Sequence, residues 1–301
     1  MSWTDPGSAG PVPVYWAGRA CARHGHHWAG RSAWWLARYA REIELAVRRC
    51  PWCQGGPKIE RIHRGREGAV KIRKWADFLR EIGGNIGPAR ESGPVSACAD
   101  VLPAEHLELL RLVNGVTAYH GAFRLFGLNR TEPAMDLVTW NSRSTWRFSW
   151  DDRREPFLMF GETAWGDQYA YKRKEGGILD GEVYFLEGVL LHPEIISGSF
   201  EEFMENELAR NSREPYDQVT VQVVNRGGEI SANQHWVHVP SVALGGPELP
   251  ENVVQLPAVT AMIFAGDIAS ALKASRPDTL PIGVTPWTDE HGRSRLAVEF
   301  A

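Results

Sequence analysis

The run Phe157-Leu158-Met159-Phe160-Gly161-Glu162-Thr163-Ala164-Trp165-Gly166-Asp167-Gln168-Tyr169-Ala170-Tyr171 reads as two β-strands meeting at a turn. Apolar residues at 157, 158 and 160 give way to Gly161 and Gly166, and Tyr169 and Tyr171 then share a face at the period of two that a strand imposes. No nucleophile is poised in the run, which points to a binding module rather than an enzyme. Glu162 and Asp167 approach each other along the strand-turn-strand and could serve as an acid/base pair. An Asp after Gly more commonly accepts backbone hydrogen bonds within its own turn.

Working outward, Ser32 to Arg49 places Leu36, Tyr39, Ile43 and Val47 at helical spacing, and Gly55-Gly56-Pro57 breaks the chain. A second helix is predicted from Val70 to Ile82, with Trp75, Phe78, Leu79 and Ile82 inward and Gly83-Gly84 as its stop. Pro103 opens a third, which Asn114-Gly115 ends. Strands are expected at 123–128, 137–141, 156–161, 167–172 and 182–187, forming one largely antiparallel sheet. Ser199-Phe-Glu-Glu202 has the form of a capping box at the head of a helix reaching about Asn211. Beyond 215 the pattern predicts a strand at 219–224, a strand around Trp236 to Val239, a helix within 258–274, and a terminal hairpin of Ile282 to Trp287 with Arg295 to Phe300.

The order "Gly, small or aromatic, Gly-Asp, aromatic" from Gly161 to Tyr169 resembles the strand pair at the centre of the SUKH superfamily, the bacterial immunity and yeast cell-wall-regulator domains. The Leu-Pro, helix, Asn-Gly order at 102–115 and the Ser-Phe-Glu-Glu-Phe opening at 199–203 are similar to the same family. His235-Trp-Val-His-Val-Pro240 through Ala243-Leu-Gly-Gly246 resembles the C-terminal extension of a type VI secretion immunity subgroup. The resemblance implies a protein that neutralises a cognate toxin.

The chain has 301 residues, of which 43% are hydrophobic, and thirteen tryptophans, so composition permits a large core and more than one domain. No window approaches the ~18 uninterrupted apolar residues that a membrane span needs. Met1 to Pro13 lacks the basic-then-apolar order of a secretory signal, so a soluble, cytoplasmic protein is expected. The formal net charge of −4 conceals an asymmetry: residues 1–90 hold 16 Lys+Arg against 7 Asp+Glu, and the remainder 17 against 30. Such a split marks two surfaces with different electrostatic partners, or two halves that attract each other. An acidic surface suits a basic partner such as a nuclease.

Cys50-Pro-Trp-Cys53-Gln-Gly-Gly has the form of a zinc knuckle, and Cys21-Ala-Arg-His24-Gly-His26-His27-Trp28 offers the other half. A tetrahedral Cys₃His site closes with either His24 or His26; the alternatives are reduced buried cysteines or a CxxC redox pair. The order "Cys, Gly-His-x-Trp, Cys-Pro-x-Cys-Gly" resembles small treble-clef or zinc-ribbon domains, which favours His26. The long helical insert between the half-sites departs from that family. Four protein ligands leave no position for water, so the zinc is expected to be structural. Arg61, Arg64, Arg66, Lys71, Arg73 and Lys74 form a basic run beside it, read as a solvated helix flank or, as the alternative, a phosphate-binding surface.

Together these readings predict an α+β protein. A zinc-binding subdomain occupies 1–66, a SUKH-like domain 67–214, and a C-terminal extension packed on that domain 215–301. The expected activity is occlusion of a toxin by an acidic face drawn from Asp151, Asp152, Glu155, Glu162, Asp167, Glu175, Asp180 and Glu182, with Trp165 as anchor. The alternative is a zinc-containing nucleic-acid-binding or regulatory adaptor. There is no GxSxG elbow, Walker loop, GxGxxG after a strand or HExxH to support a catalytic reading.

Overall fold

The computed structural model describes residues 64–83, 101–128, 135–151, 156–276 and 279–301. Arg64–Ala301 forms one compact unit. Its architecture is mixed α+β. A six-stranded antiparallel sheet runs in the order β1 (Val116–Ala118), β2 (Phe123–Leu125), β3 (Phe157–Thr163), β4 (Gln168–Lys172), β5 (Val183–Glu187) and β6 (His192–Ser197). Neighbours in sequence are neighbours in the sheet, so every connection is local.

All seven residues of β3 are buried, because β3 and β4 are central and the sheet is covered on both faces. On one face lie α1 (Arg64–Ile82), α2 (Ala104–Leu112) and α4 (Phe200–Phe203). There Phe160 stacks on Tyr171 at 4.4 Å and meets Phe203 edge-on, while Tyr169 packs on Phe203. The two tyrosines thus share the face that their spacing predicts. On the opposite face lie α3 (Leu137–Trp140), a 3₁₀ turn at Arg147–Ser149 and α7 (Ala258–Ala274). Trp146 and Trp140 are fully buried there, and Trp150 donates its indole N–H to the Met262 carbonyl at 2.9 Å.

A bulge in β3 sets which side chains go where. The register against β4 shifts between Met159 and Gly161, so Phe160 and Gly161 both oppose the helical layer and Glu162 turns to the other face. Strict alternation would have placed Glu162 with Leu158 and Phe160. Gly161 is required at this point, since a Cβ would stand 2.6 Å from the Arg124 carbonyl oxygen.

The expected strand at 137–141 is instead the helix α3. Asp136 caps it, accepting from the Thr139 N–H at 2.8 Å and the Thr139 hydroxyl at 2.7 Å, and this local satisfaction outweighs the strand preference of Val138 and Thr139. The expected strand at 219–224 is likewise a helix, α6 (Gln218–Gly227), capped by Asp217 through the Val219 and Thr220 N–H groups. Its buried residues, Thr220, Val223 and Val224, are spaced for a helix although their side chains are β-branched.

Ser199 caps α4 by accepting from the Glu202 N–H, as the capping-box pattern predicts, but Glu202 reaches back to the Gly198 N–H, one residue further than the usual box. The helix continues through a π-turn at Met204–Leu208 into α5 (Ala209–Asn211).

Beyond these lies a second antiparallel pair, β7 (Gln234–His238) with β8 (Val253–Pro257), followed by α7 and a terminal ribbon of β9 (Pro281–Thr288) with β10 (Ser294–Phe300). Trp236, Ala258, Met262 and Ile263 belong to the same hydrophobic core as Leu158 and Phe160, so residues on both sides of the expected 214/215 boundary share one core. No helix among the described residues is long and apolar enough to cross a membrane.

Candidate functional site

The β3–β4 turn and its neighbours hold a buried polar network. Arg124, Glu162 and Gln168 are fully buried and His235 is 1% exposed. β2 carries Arg124 directly opposite Glu162 on β3, and β4 carries Gln168 opposite Glu162 from the other side. Arg124 Nη1 donates to Glu162 Oε1 at 2.9 Å. Gln168 Nε2 donates to Glu162 Oε2 at 3.1 Å, and its own oxygen accepts from the Trp140 indole at 2.7 Å. His235 Nε2 stands 3.1 Å from Glu162 Oε1, an ion-pair distance outside hydrogen-bond alignment.

Arg124 has further partners. Its Nε donates to the Gly121 carbonyl at 3.1 Å, and its Nη2 to the carbonyls of Ser231 at 3.0 Å and Gln234 at 2.5 Å. One planar guanidinium therefore ties the sheet to the start of β7, using the fork of donors that only arginine offers. Burial pushes the Glu162 carboxyl up, but His235, Arg124 and Gln168 together outweigh it and hold the group below its usual range.

Asp167 is also committed internally. Its Oδ2 accepts from the Thr163 hydroxyl at 2.6 Å and its Oδ1 from the Gly188 N–H at 2.8 Å, closing the turn on β5. Gly166 has φ +86°, the left-handed conformation that this turn needs from glycine. Trp165 is half-buried, stacked on His238 at 4.9 Å, and donates its indole N–H to Thr220 Oγ1 at 2.7 Å. The Thr220 hydroxyl in turn donates to the capping Asp217 Oδ2 at 2.7 Å, which links the turn to the head of α6.

A second buried polar group sits on the helical face. His106 Nδ1 lies 3.0 Å from the Tyr171 hydroxyl, with the imidazole stacked on Phe200 at 4.3 Å. Burial lowers His106 to about 3, so the ring is neutral at physiological pH. In the π-turn, burial raises Glu207 to about 7 against the opposing pull of Asn211 and Arg210.

The residues expected on an acidic face divide. Glu162 and Asp167 are interior. Asp151 is half-buried, with Lys273 3.4 Å away. Glu175 is exposed, and Asp180 and Glu182 are half-buried beside the Tyr184 hydroxyl at 3.0 and 3.1 Å. Asp152 and Glu155 lie outside the described residues, as do Cys21, His24, His26, Cys50 and Cys53. Among the described residues no group of three or more His, Cys, Asp and Glu is placed to hold a metal. His235 and His238 have separate partners, Glu162 and Trp165.

Sequence reasoning overlooked Arg124 and placed His235 in no network. The available signal was a lone charge inside the apolar run Ala122-Phe-Arg-Leu-Phe126, which on a central strand demands a buried counter-charge.

No family model matches the chain, and no curated protein matches it. Among solved structures it is similar to the crystal structure of Atu4351 from Agrobacterium tumefaciens, at 16% identity over 72% of this chain and 94% of that one, with a TM-score of 0.40.

Proposed function

We propose that this chain is a SUKH-type immunity protein that binds a cognate bacterial toxin, a basic nuclease, and neutralises it by stoichiometric occlusion. The observation that carries the reading is the internal commitment of both carboxylates in the Gly161–Tyr169 motif. Glu162 is shared among Arg124, Gln168 and His235, and Asp167 between Thr163 and Gly188. A motif spent on holding strands, turn and β7 together serves a scaffold whose surface does the work, and this favours recognition over acid/base chemistry.

The acidic balance of residues 91–301 supports a basic partner, because complementary fields speed and orient association. With Glu162 and Asp167 inside, the contact carboxylates narrow to Asp151, Asp152, Glu155, Glu175, Asp180 and Glu182, and the accessible part of Trp165 remains the aromatic anchor. In the N-terminal segment Cys21, His26, Cys50 and Cys53, with His24 as the alternative histidine, would hold one structural zinc; the donor set is closed and of the right type. There the ion would supply folding energy to a segment with little core.

Growth rescue tests the reading. Co-expression should protect cells against the toxin encoded beside this chain, and the two should co-purify in a fixed ratio. Purified protein that turns over a substrate many times, or failure to protect against every neighbouring toxin, overturns it. Elemental analysis should find about one equivalent of zinc, lost in Cys50→Ser. The exposed Arg73 and Lys74 of α1 keep a nucleic-acid-binding adaptor as the second reading. It requires a salt-dependent shift of DNA or RNA that charge reversal at Arg64, Arg66 and Arg73 abolishes.

A further inference from the structure

The ribbon β9–β10 stands apart from the main core. No residue of either strand is fully buried, and none belongs to the cluster that holds Leu158, Phe160 and Trp236. Leu296 and Val298 pack instead on a separate apolar cluster of Ala243, Leu244 and Ile268, with Val189 and Leu272 at its margin. A satellite cluster of this kind can open while the contacts of the main core stay in place.

One carboxylate carries the polar attachment. Asp267 of α7 accepts from Arg295 Nε at 3.0 Å, from Arg295 Nη2 at 2.5 Å and from the Leu296 N–H at 2.9 Å. Among the described residues, Leu296 supplies the one main-chain donor of the ribbon that bonds outside it. The other main-chain bonds run between β9 and β10, within their turn, or from Ala301 to Leu280. Arg293 and Arg295 also lay their guanidinium groups over the Phe148 ring, at 3.6 and 5.2 Å. The Asp267 side chain is 6% exposed and that of Arg295 21%. Opening returns both ions to water together, so the pair resists release by far less than its closed geometry suggests. Removing one partner alone is the costly change, because the other then stays behind without a counter-charge.

We infer that β9–β10 is a strap that leaves α7 as one unit, by opening of the Arg295–Asp267 latch, while α7 and the six-stranded sheet stay folded. Release breaks no pairing in that sheet. It uncovers Ala243, Leu244, Ile268 and Leu272 beside an unpaired Asp267, a strip that the closed strap keeps from water. Such segments occupy the low end of a protein's local stabilities. Once off α7 the ribbon is a lone two-stranded hairpin, which holds its hydrogen bonds poorly in water, so release and loss of amide protection coincide.

The test is amide hydrogen exchange on the full-length protein, followed by mass spectrometry at rising denaturant below the unfolding transition. The slowest amides of 281–300 should exchange about a hundred-fold or more faster than those of β3 and β4, with a weaker denaturant dependence, because less surface opens. Those of 262–270 in α7 should keep the slow rate. Asp267→Asn retains the shape of the side chain and removes its charge. It should speed exchange in the ribbon by about ten-fold or more and leave β3 and β4 as they were. Ribbon and sheet exchanging at one rate with one slope overturn the inference, as do wild-type ribbon amides that exchange as fast as those of a free peptide. An Asp267→Asn protein with unchanged ribbon exchange overturns it too. So does one that loses protection throughout or fails to fold, since Asp267 then supports the whole fold rather than a latch.

Discussion

The hairpins β3–β4 and β9–β10 are both antiparallel pairs turned by glycine and aspartate, yet the first is walled in on both faces and the second is covered along one strand. Every residue of β3 is buried, whereas six of the eight residues of β9 are exposed. The charged groups respond accordingly. In β3–β4 the carboxylate of Glu162 survives burial through Arg124, Gln168 and His235. In the ribbon, Arg293 and Arg295 lie over the Phe148 ring and keep part of their side chains in water, although their partners Asp289 and Asp267 are nearly buried. Burial therefore makes the polar contacts of the first hairpin expensive to break, whereas in the second only the Arg295–Asp267 pair involves a buried carboxylate of the core side.

The largest expected effect comes from opening the buried pair. Arg124→Met or Glu162→Gln alone leaves an uncompensated group in the interior and should cost about 3–5 kcal/mol in chemical denaturation. Changing both together should cost less than the sum, and strict additivity would mean that the pair is not coupled.

A second test uses pH and two buried glutamates of opposite sign. Glu162 is held below its usual range, so its contribution is present above the unfolded value near 4.5 and is lost as pH falls below it. Glu207 is raised to about 7, so its neutral form favours the fold below 4.5. That contribution, roughly 3 kcal/mol, declines as pH rises through 7. Glu207→Gln should flatten the stability profile between pH 5 and about 7. An unchanged slope would mean that Glu207 ionises in place.

Smaller effects follow at the rim of the turn. Thr220→Val strands the Trp165 indole N–H and weakens the cap of α6, for about 1–2 kcal/mol in the same assay. Smallest of all, Trp287→Thr in the ribbon should change stability by no more than about 0.5 kcal/mol. A larger loss would place Trp287 in the fold's own packing and narrow the contrast between the hairpins.

Much of the sheet could be read from short-range pattern. The strand pair at 157–172, the strand at 183–187, the terminal ribbon and the helix 258–274 announce themselves through alternation, turn residues and apolar periodicity. Short strands such as Val116–Ala118, and Pro193-bearing β6, carry too little pattern to be seen. Val and Thr at 138–139 and 219–224 favoured strands, but Asp136 and Asp217 supplied caps that made helices cheaper. The candidate site was half legible. Glu162 and Asp167 stood out as charges beside a glycine turn, but Arg124 lies 38 residues away and reaches carbonyls 107 and 110 residues further on.

The sequence by itself determined where chain direction and hydrophobic faces must change, because glycine, proline, capping side chains and periodicity act within a few residues. Only the tertiary structure decided that Glu162 faces inward to Arg124 and His235. That outcome depends on a one-residue bulge at Phe160–Gly161 and on a strand brought back from the end of the core. Neither carries a local energetic signal, since a bulge and a buried charge become favourable only once their distant partners are in place.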